Sequence, residues 1–283
     1  MNIAALVKRA RIVSRIRSFF DERGFIEVET PVRIPAPAPE TNIDCPPVAT
    51  GGFLRASPEL QMKKLLALGM EKIYQIGPCF RDGEKGSRHN PEFTMIEWYR
   101  RDSSYLNIKD DITELMCTLL AEFAPNVEVR FQEITVREAY LKYAHWDPWI
   151  ENDHDRFDFD MATKIEPAIK AMGGGVFLMD YPPWAASLSR LRGDVAERWE
   201  LYWNGVELAN CFSELNDSKE QLKRFEIARE ERRELREADY PIDMEFISSV
   251  EAMGLASGVA LGIDRLVMAL LNISDIREVR CMK

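Results

Sequence analysis

The chain has 283 residues, 46% of them hydrophobic and 30% charged, so it can bury a sizeable core and lacks the composition of a disordered segment. Its net charge of -10 argues against broad nonspecific nucleic-acid binding, since a polyanionic partner would need local basic patches against an unfavourable overall field. No apolar run reaches the roughly 20 residues of a membrane span, and the N-terminus lacks the apolar stretch of a secretory leader.

Residues 3–23 carry apolar positions at Leu6, Ala10, Val13, Ile16 and Phe20 and stop at Gly24, which predicts an amphipathic helix with a solvated basic face (Lys8, Arg9, Arg11, Arg15, Arg17). A short strand over Phe25 to Glu29 follows. The stretch from Thr30 to Pro47 is rich in proline (Pro31, Pro35, Pro37, Pro39, Pro46, Pro47) and reads as an extended loop. Helical periodicity returns over residues 58–70 (Leu60, Lys63, Lys64, Ala67). An apolar run from Ile73 to Phe80 then ends at Arg81, and a polar stretch bearing Arg88 and His89 leads into a period-two run from Glu92 to Tyr99. Strand alternation puts Phe93, Met95, Glu97 and Tyr99 on one face and Glu92, Thr94, Ile96 and Trp98 on the other. The first face offers an aromatic platform, a carboxylate and a phenol in a row, suited to a flat base at one end and an amine at the other. A plain hairpin with Phe93 and Met95 in the core is the alternative, and it leaves Glu97 as a buried carboxylate without a partner.

Residues 106–124 predict a helix buried along Ile108, Ile112, Leu115, Met116, Leu119 and Phe123, whereas residues 125–175 give a weak, mixed signal. Asn204-Gly205 between two alternating runs marks a hairpin that pairs Tyr202 with Glu207 and Glu200 with Ala209. Residues 218–239 predict a charged helix capped by Ser218, with Leu222, Phe225, Ile227 and Leu235 buried and the charges solvated. The final apolar run carries Gly258 and Gly262 and feeds a helix starting near Ile263. Glu207 and Glu214, with Asn210 between them, form an oxygen-rich cluster that suits magnesium with substrate phosphates, or else surface acids on a hairpin. Their separation is odd, so a shared face requires a bulge or break, expected near Cys211 to Ser213. Arg265 lies in the first helical turn, where a cation is disfavoured unless an anion binds nearby. The cysteines (Cys45, Cys79, Cys117, Cys211, Cys281) and the three histidines lack metal-ligand spacing, which fits a reducing cytoplasm and argues against a zinc site.

Five segments, GFIEVETP (24–31), ASPELQMK (56–63), FRDGEKGSRHNPEFTMIEWY (80–99), NGVELANCFSELND (204–217) and SGVALGIDRL (257–266), together resemble the motifs of class II lysyl-tRNA synthetases and their short relatives, the elongation factor P lysine lysyltransferases. The resemblance spans nearly the whole chain apart from residues 125–180. It implies a single α+β domain over residues 1–283, with the class II aminoacyl-tRNA synthetase catalytic core of an antiparallel β-sheet flanked by helices. It further implies ATP and Mg2+ as cofactors. Arg81 would hold the α-phosphate, His89 the outer phosphates, and Phe93 and Arg265 the two sides of the adenine, with Arg265 also on the γ-phosphate. Arg81, Arg265 and His89 would form the catalytic set, and Glu207 and Glu214 would bind the metal. Asn90, Leu208 and Gly262 would complete the nucleotide pocket. Ser57, Pro58 and Glu59, with Glu97, Tyr99, Glu214 and Ala260, would bind the amino acid. The family carries an acid two residues after the motif arginine, and here that position is Gly83, with Glu84 beside it.

The first helix leads at once into GFIEVETP, leaving no place for the N-terminal anticodon-binding domain of a lysyl-tRNA synthetase, so tRNA is not the expected partner. Ala260 matches the lysyltransferases, where lysyl-tRNA synthetases have glycine. The expected reaction is ATP-dependent activation of (R)-beta-lysine, or lysine, and transfer to a lysine ε-amine of elongation factor P. A tRNA-charging enzyme and a noncatalytic regulatory paralogue are the alternatives, the latter disfavoured by the presence of both Arg81 and Arg265. The first helix and strand match the family's dimer-forming motif, so a homodimer without membrane association is expected.

Overall fold

The computed structural model describes residues 2–41 and 43–281. Helix α1 (Ile3–Asp21) is capped by Asn2 and ends before Gly24, whose φ of +73° is the left-handed conformation that glycine adopts freely. Its buried residues are Ala5, Ile12, Ile16, Phe19 and Phe20, a stripe rotated from the expected one, which leaves Ala10 exposed. Strand β1 (Ile26–Glu27) follows, and the proline-rich loop contains one short strand, β2 (Arg33–Ile34), paired with β3 (Phe53–Leu54). Helix α2 spans Glu59–Ala67, and strands β4 (Lys72–Phe80) and β5 (Glu92–Arg101) form the long hairpin expected around Arg81.

Helix α3 (Tyr105–Phe123) buries the predicted stripe from Ile108 to Leu119, with Phe123 half-buried at its end. The stretch that gave no clear signal folds as strand β6 (Phe131–Thr135), a helical insertion and strand β7 (Gly175–Tyr181). Helices α4 (Val136–Ala139), α5 (Pro148–Glu151), α6 (His154–Asp160) and α7 (Glu166–Met172) are interrupted by π-helical turns at Tyr140–Ala144 and Met161–Ile165. Such turns break the 3.6-residue period, which explains why periodicity failed there. The insertion has its own apolar core around Tyr140, Trp146, Phe157, Ile169 and Leu178.

Strand β8 (Leu191–Arg192) precedes β9 (Val195–Trp203) and β10 (Val206–Ser213), which turn at Asn204 and Gly205 with φ of +48° and +76°. Helix α8 runs over Ser218–Glu234, and its N-cap is Asp217 rather than Ser218. Its inner stripe is Gln221, Phe225 and Arg232, while Ile227 and Leu235 stand exposed, because the inward positions face the proline-rich loop as well as apolar neighbours. Helix α9 (Met244–Ser249), strand β11 (Ala256–Gly262) and helix α10 (Ile263–Leu271) complete the chain's main elements.

Among the described residues nine strands form one sheet in the order β1-β4-β5-β11-β10-β9-β7-β6, with β8 beside β9. Pairing is antiparallel except for β1 with β4 and β6 with β7. Helices α1, α3 and α10 cover one face, where Phe20 meets Tyr74 and Trp98 at 5.0 Å. Aromatic packing of this kind contributes roughly 1 kcal/mol per pair beyond area burial. The opposite face carries the polar side chains of the cleft.

Two cations expected on solvated faces are structural. Arg9 reaches Asp264 at 2.8 Å and Thr94 Oγ1 at 2.8 Å, tying α1 to α10 and β5. Arg232 is fully buried, 2.5 Å from Asp44 and 2.7 Å from the Glu40 carbonyl oxygen, and it pins the proline-rich loop beside the cleft.

Candidate active site

A cleft of about 410 Å³ opens over the centre of the sheet. Its floor follows from cross-strand register, because directly opposed residues of an antiparallel pair project to the same side. One row runs Glu97, Ala260, Asn210, Glu200 across β5, β11, β10 and β9. The next runs Tyr99, Gly258, Phe212, Arg198. A Cβ at Gly258 would stand 2.1 Å from the Tyr99 ring, so glycine there is what lets the ring lie flat on β11.

The hairpin is not regular. Glu207 pairs with Tyr202 as expected, but Ala209 pairs with Leu201 and Asn210 with Glu200, so Leu208 is a β-bulge. The extra residue turns Glu207 onto the same face as Asn210, Phe212 and Glu214. The bulge is therefore at Leu208, next to the turn, and not near Cys211 to Ser213 as expected, where the register is regular.

At one end the cleft is cationic and aromatic. The Arg81 guanidinium lies 5.2 Å from the Phe93 ring centroid, and Arg265 projects from the first turn of α10 toward Glu207. Arg265 Nη1 donates to Glu207 Oε2 and to the Glu207 carbonyl oxygen, each at 3.1 Å, and Nη2 lies 2.6 Å from His89 Nε2. A guanidinium only donates, so His89 Nε2 accepts and the ring is neutral, in line with burial and the Arg265 charge lowering its pKa. Asn90 donates to the Glu92 carbonyl oxygen, which fixes the end of the loop at the mouth of the cleft. The cleft walls and the neighbouring Glu200 carboxylate push the Glu207 carboxyl above its ordinary range.

At the other end the cleft is anionic and buried. Ser57 Oγ donates to Glu97 Oε1 at 2.6 Å and accepts from Glu59 N at 2.9 Å, and the Tyr99 hydroxyl donates to Glu97 Oε2 at 2.7 Å. Burial and the Glu59 carboxylate push the Glu97 carboxyl up to about 7. Glu214 is 1% exposed and pairs with Lys63 at 2.5 Å; burial still pushes it up to about 8. Burial thus disfavours the ionised forms of Glu97 and Glu214, and a cation placed beside them would favour those forms.

The family model for class II tRNA synthetases (D, K and N) matches residues 2–282. The chain belongs to the class II tRNA synthetase family. It is 37% identical to a protein of Proteus mirabilis named elongation factor P–(R)-beta-lysine ligase, over 98% of this chain and 94% of that one. Relatives with the same name from Photorhabdus laumondii and Hamiltonella defensa are 37% and 35% identical over the same shares.

In this class II synthetase chain most of the expected site residues line one cleft: Ser57, Glu59, Arg81, His89, Asn90, Phe93, Glu97, Tyr99, Glu207, Leu208, Glu214, Ala260, Gly262 and Arg265. Two do not. Pro58 is buried at the N-cap of α2, where it starts the helix, and Gly83 is exposed with φ of +77°. That turn at Gly83 brings Glu84 onto the cleft wall, 3.4 Å from Arg81 Nη1. An acid therefore stands on the cleft wall one residue after Gly83.

Glu207 and Glu214 share the cleft face but not an environment. Glu207 faces Arg265 and Glu200, whereas Glu214 faces Lys63, Glu59 and Glu97. Among the described residues no group of three His, Cys, Asp or Glu side chains is placed to hold a metal ion. Sequence reasoning passed over Glu40, Arg198 and Glu200, which also line the cleft. Arg198 lies 2.6 Å from Glu200 and 3.2 Å from Asn210 Oδ1, and its guanidinium stacks 4.2 Å from the Tyr181 ring. The signal available for Glu200 and Arg198 was their even spacing on β9, which places both on one face.

Proposed function

We propose that this protein activates (R)-beta-lysine with ATP as an aminoacyl-adenylate and transfers the acyl group to the ε-amine of a lysine on elongation factor P. The observation that carries the reading is the polarity of the cleft along β5: Arg81, Phe93 and Arg265 gather at one end, and Glu59, Glu97 and Glu214 at the other. The first set suits a nucleotide and the second an amine-bearing chain, with the reacting carboxylate between them.

The amino-acid carboxylate attacks the α-phosphorus and pyrophosphate leaves; the acceptor amine then attacks the carbonyl carbon and AMP leaves. Catalysis here is positioning and charge stabilisation rather than covalent participation by the protein. Arg81 holds the α-phosphate, Arg265 and His89 the outer phosphates, and Phe93 and Arg265 enclose the adenine, with Glu84 beside Arg81. Ser57, Glu59, Glu97, Tyr99 and Glu214 hold the amino groups, and Ala260 narrows the wall opposite Glu97.

Glu207 and Glu200 fit magnesium, because one or two carboxylates with substrate phosphates are its common donor set and their mutual repulsion favours a cation. When bound, magnesium supplies charge neutralisation to the leaving pyrophosphate. Glu214, paired with Lys63, belongs to the amine end instead.

The reading includes one catalytic domain in a homodimer of the cytoplasm. Ile3 and Val7, one turn apart on α1, are exposed, as is Ile26 on the edge strand β1, and a second copy would cover such apolar positions. Among the described residues no helix is long and apolar enough to cross a membrane.

Mass spectrometry of elongation factor P after incubation with ATP and each lysine isomer tests the proposal. One added lysyl group, formed faster with (R)-beta-lysine, is the expected result. An unmodified factor alongside charged bulk tRNA would assign the enzyme to tRNA instead.

A further inference from the structure

Lys63 lies one helical turn from Glu59 on the same face of α2, and its side chain is 2% exposed. Its ammonium is 2.5 Å from Glu59 Oε1 and 2.5 Å from Glu214 Oε2. Both carboxylates line the cleft, and Lys63 stands behind them. A buried ammonium is costly unless compensated, so a lysine at this depth is held by the pair it touches and in turn holds them.

The third carboxylate, Glu97, takes no part in that contact. Its two oxygens accept from the hydroxyls of Ser57 and Tyr99 at 2.6 and 2.7 Å, both neutral donors. Glu40, a further carboxylate nearby, faces Glu59 and Lys63 as well as Arg81 and Arg198, and the two arginines offset its charge. At the amine end three ionisable carboxylates therefore meet a single fixed ammonium. When a cationic ligand brings all three to their ionised forms, two negative charges remain beyond the one that Lys63 cancels.

The geometry points to Lys63 as a positioning residue that matches the cleft to a ligand with two ammonium groups. It cancels one of the three charges and aims Glu59 and Glu214 at fixed directions, while Glu97 is aimed by its hydroxyls. A ligand with two ammonium groups leaves no carboxylate unpaired. A ligand with one leaves a buried carboxylate without a cation, which is the kind of penalty that gives strong discrimination. The inference rests on the reading of this cleft as a diamino-acid site and adds the device by which the protein enforces the second amine. Lys63 acts through Glu59 and Glu214 and does not touch the substrate.

Without Lys63 the Glu59 and Glu214 carboxylates repel at close range, so one turns away or takes a proton. Lys63→Met keeps the unbranched apolar stem, one atom shorter, and removes the charge. The KM for (R)-beta-lysine in ATP–pyrophosphate exchange is expected to rise by about 30-fold or more, with the KM for ATP within about threefold of wild type. Lys63→Met/Glu214→Gln restores the surplus of two charges. It is expected to have a beta-lysine KM at least about fivefold below that of Lys63→Met, a non-additive gain that simple loss of contacts does not produce.

An unchanged beta-lysine KM in the single variant, an equal rise for ATP, or a double variant no better than the single one overturns the proposal. Where Lys63→Met does not fold, recovery of a cooperative unfolding transition in the double variant is the supporting result, and its absence overturns the charge match. Wild-type enzyme that exchanges pyrophosphate with an amino acid of one amine as readily as with beta-lysine would sink the diamino-acid reading itself, independently of either variant.

Discussion

Arg265 Nη1 lies 3.1 Å from both the side-chain Oε2 and the backbone carbonyl oxygen of Glu207. A cation in the first turn of α10 opposes the helix dipole, and a carboxylate delivered by the bulged strand β10 offsets it. The contact leaves Nη2 free to meet His89, so the bulge, the helix start and the motif loop converge on one guanidinium.

Arg265→Ala is expected to lower the rate of beta-lysine-dependent ATP–pyrophosphate exchange by roughly 100-fold or more, as for loss of a preorganised transition-state cation. The side chain is partly exposed and belongs to the cleft rather than the core, so the unfolding midpoint should move little. Near-normal exchange would remove Arg265 from the catalytic set.

Glu97 makes stability depend on pH. Its folded pKa, about 7, lies above the ordinary carboxyl value, so the native state keeps a proton that the unfolded chain releases at lower pH. The resulting stability is present below about pH 4.5 and is lost as pH rises through 7, a swing on the order of 3 kcal/mol. Glu97→Gln should flatten this part of the profile, raising stability at pH 8 relative to wild type while abolishing exchange with beta-lysine. Chemical denaturation at pH 5 and pH 8 measures it, and an unaltered pH dependence in the variant would contradict the assignment.

Glu84 lines the cleft 3.4 Å from Arg81, which places it to take the role proposed for position 83. Glu84→Ala should raise the KM for ATP by about 5- to 100-fold, the worth of a lost polar contact of roughly 1 to 3 kcal/mol, and leave the KM for beta-lysine unchanged. Gly83→Ala should act in the same direction more weakly, because a side chain at φ of +77° strains the turn that presents Glu84. Steady-state kinetics with each substrate varied in turn separates the two.

Gly258→Ala puts a methyl group into the Tyr99 ring, 2.1 Å from its nearest carbon. Overpacking of this kind costs typically 1 to 3 kcal/mol, and displacing the ring removes the hydroxyl that holds Glu97. Equilibrium unfolding should show the loss, accompanied by a raised beta-lysine KM. A variant as stable as wild type would show that the ring has room to move.

Local rules carried much of the reading. The alternation of Phe93, Met95, Glu97 and Tyr99, the glycine stop at Gly24, the turn at Asn204-Gly205 and the helix start at Ile263 each depend on residues a few positions apart, and each appears in the structure. The motif segments also carried the family, because their order along the chain survives without knowledge of contacts.

What the chain alone left open depends on partners far apart in sequence. Arg9 and Arg232 look like solvated charges until Asp264 and Asp44 arrive from other elements to bury them, and Lys63, read only as part of a helical period, meets Glu214 from a distant strand end. The bulge at Leu208 has no local signature either, since register is decided by the neighbouring strands β9 and β11. That single extra residue decides which face Glu207 takes, and the burial of Lys63 sets Glu214 beside Glu59 and Glu97. Side-chain chemistry was written in the sequence; its sorting into a cationic, aromatic end and an anionic end of the cleft came from packing, because a charge takes its role from what desolvates and faces it.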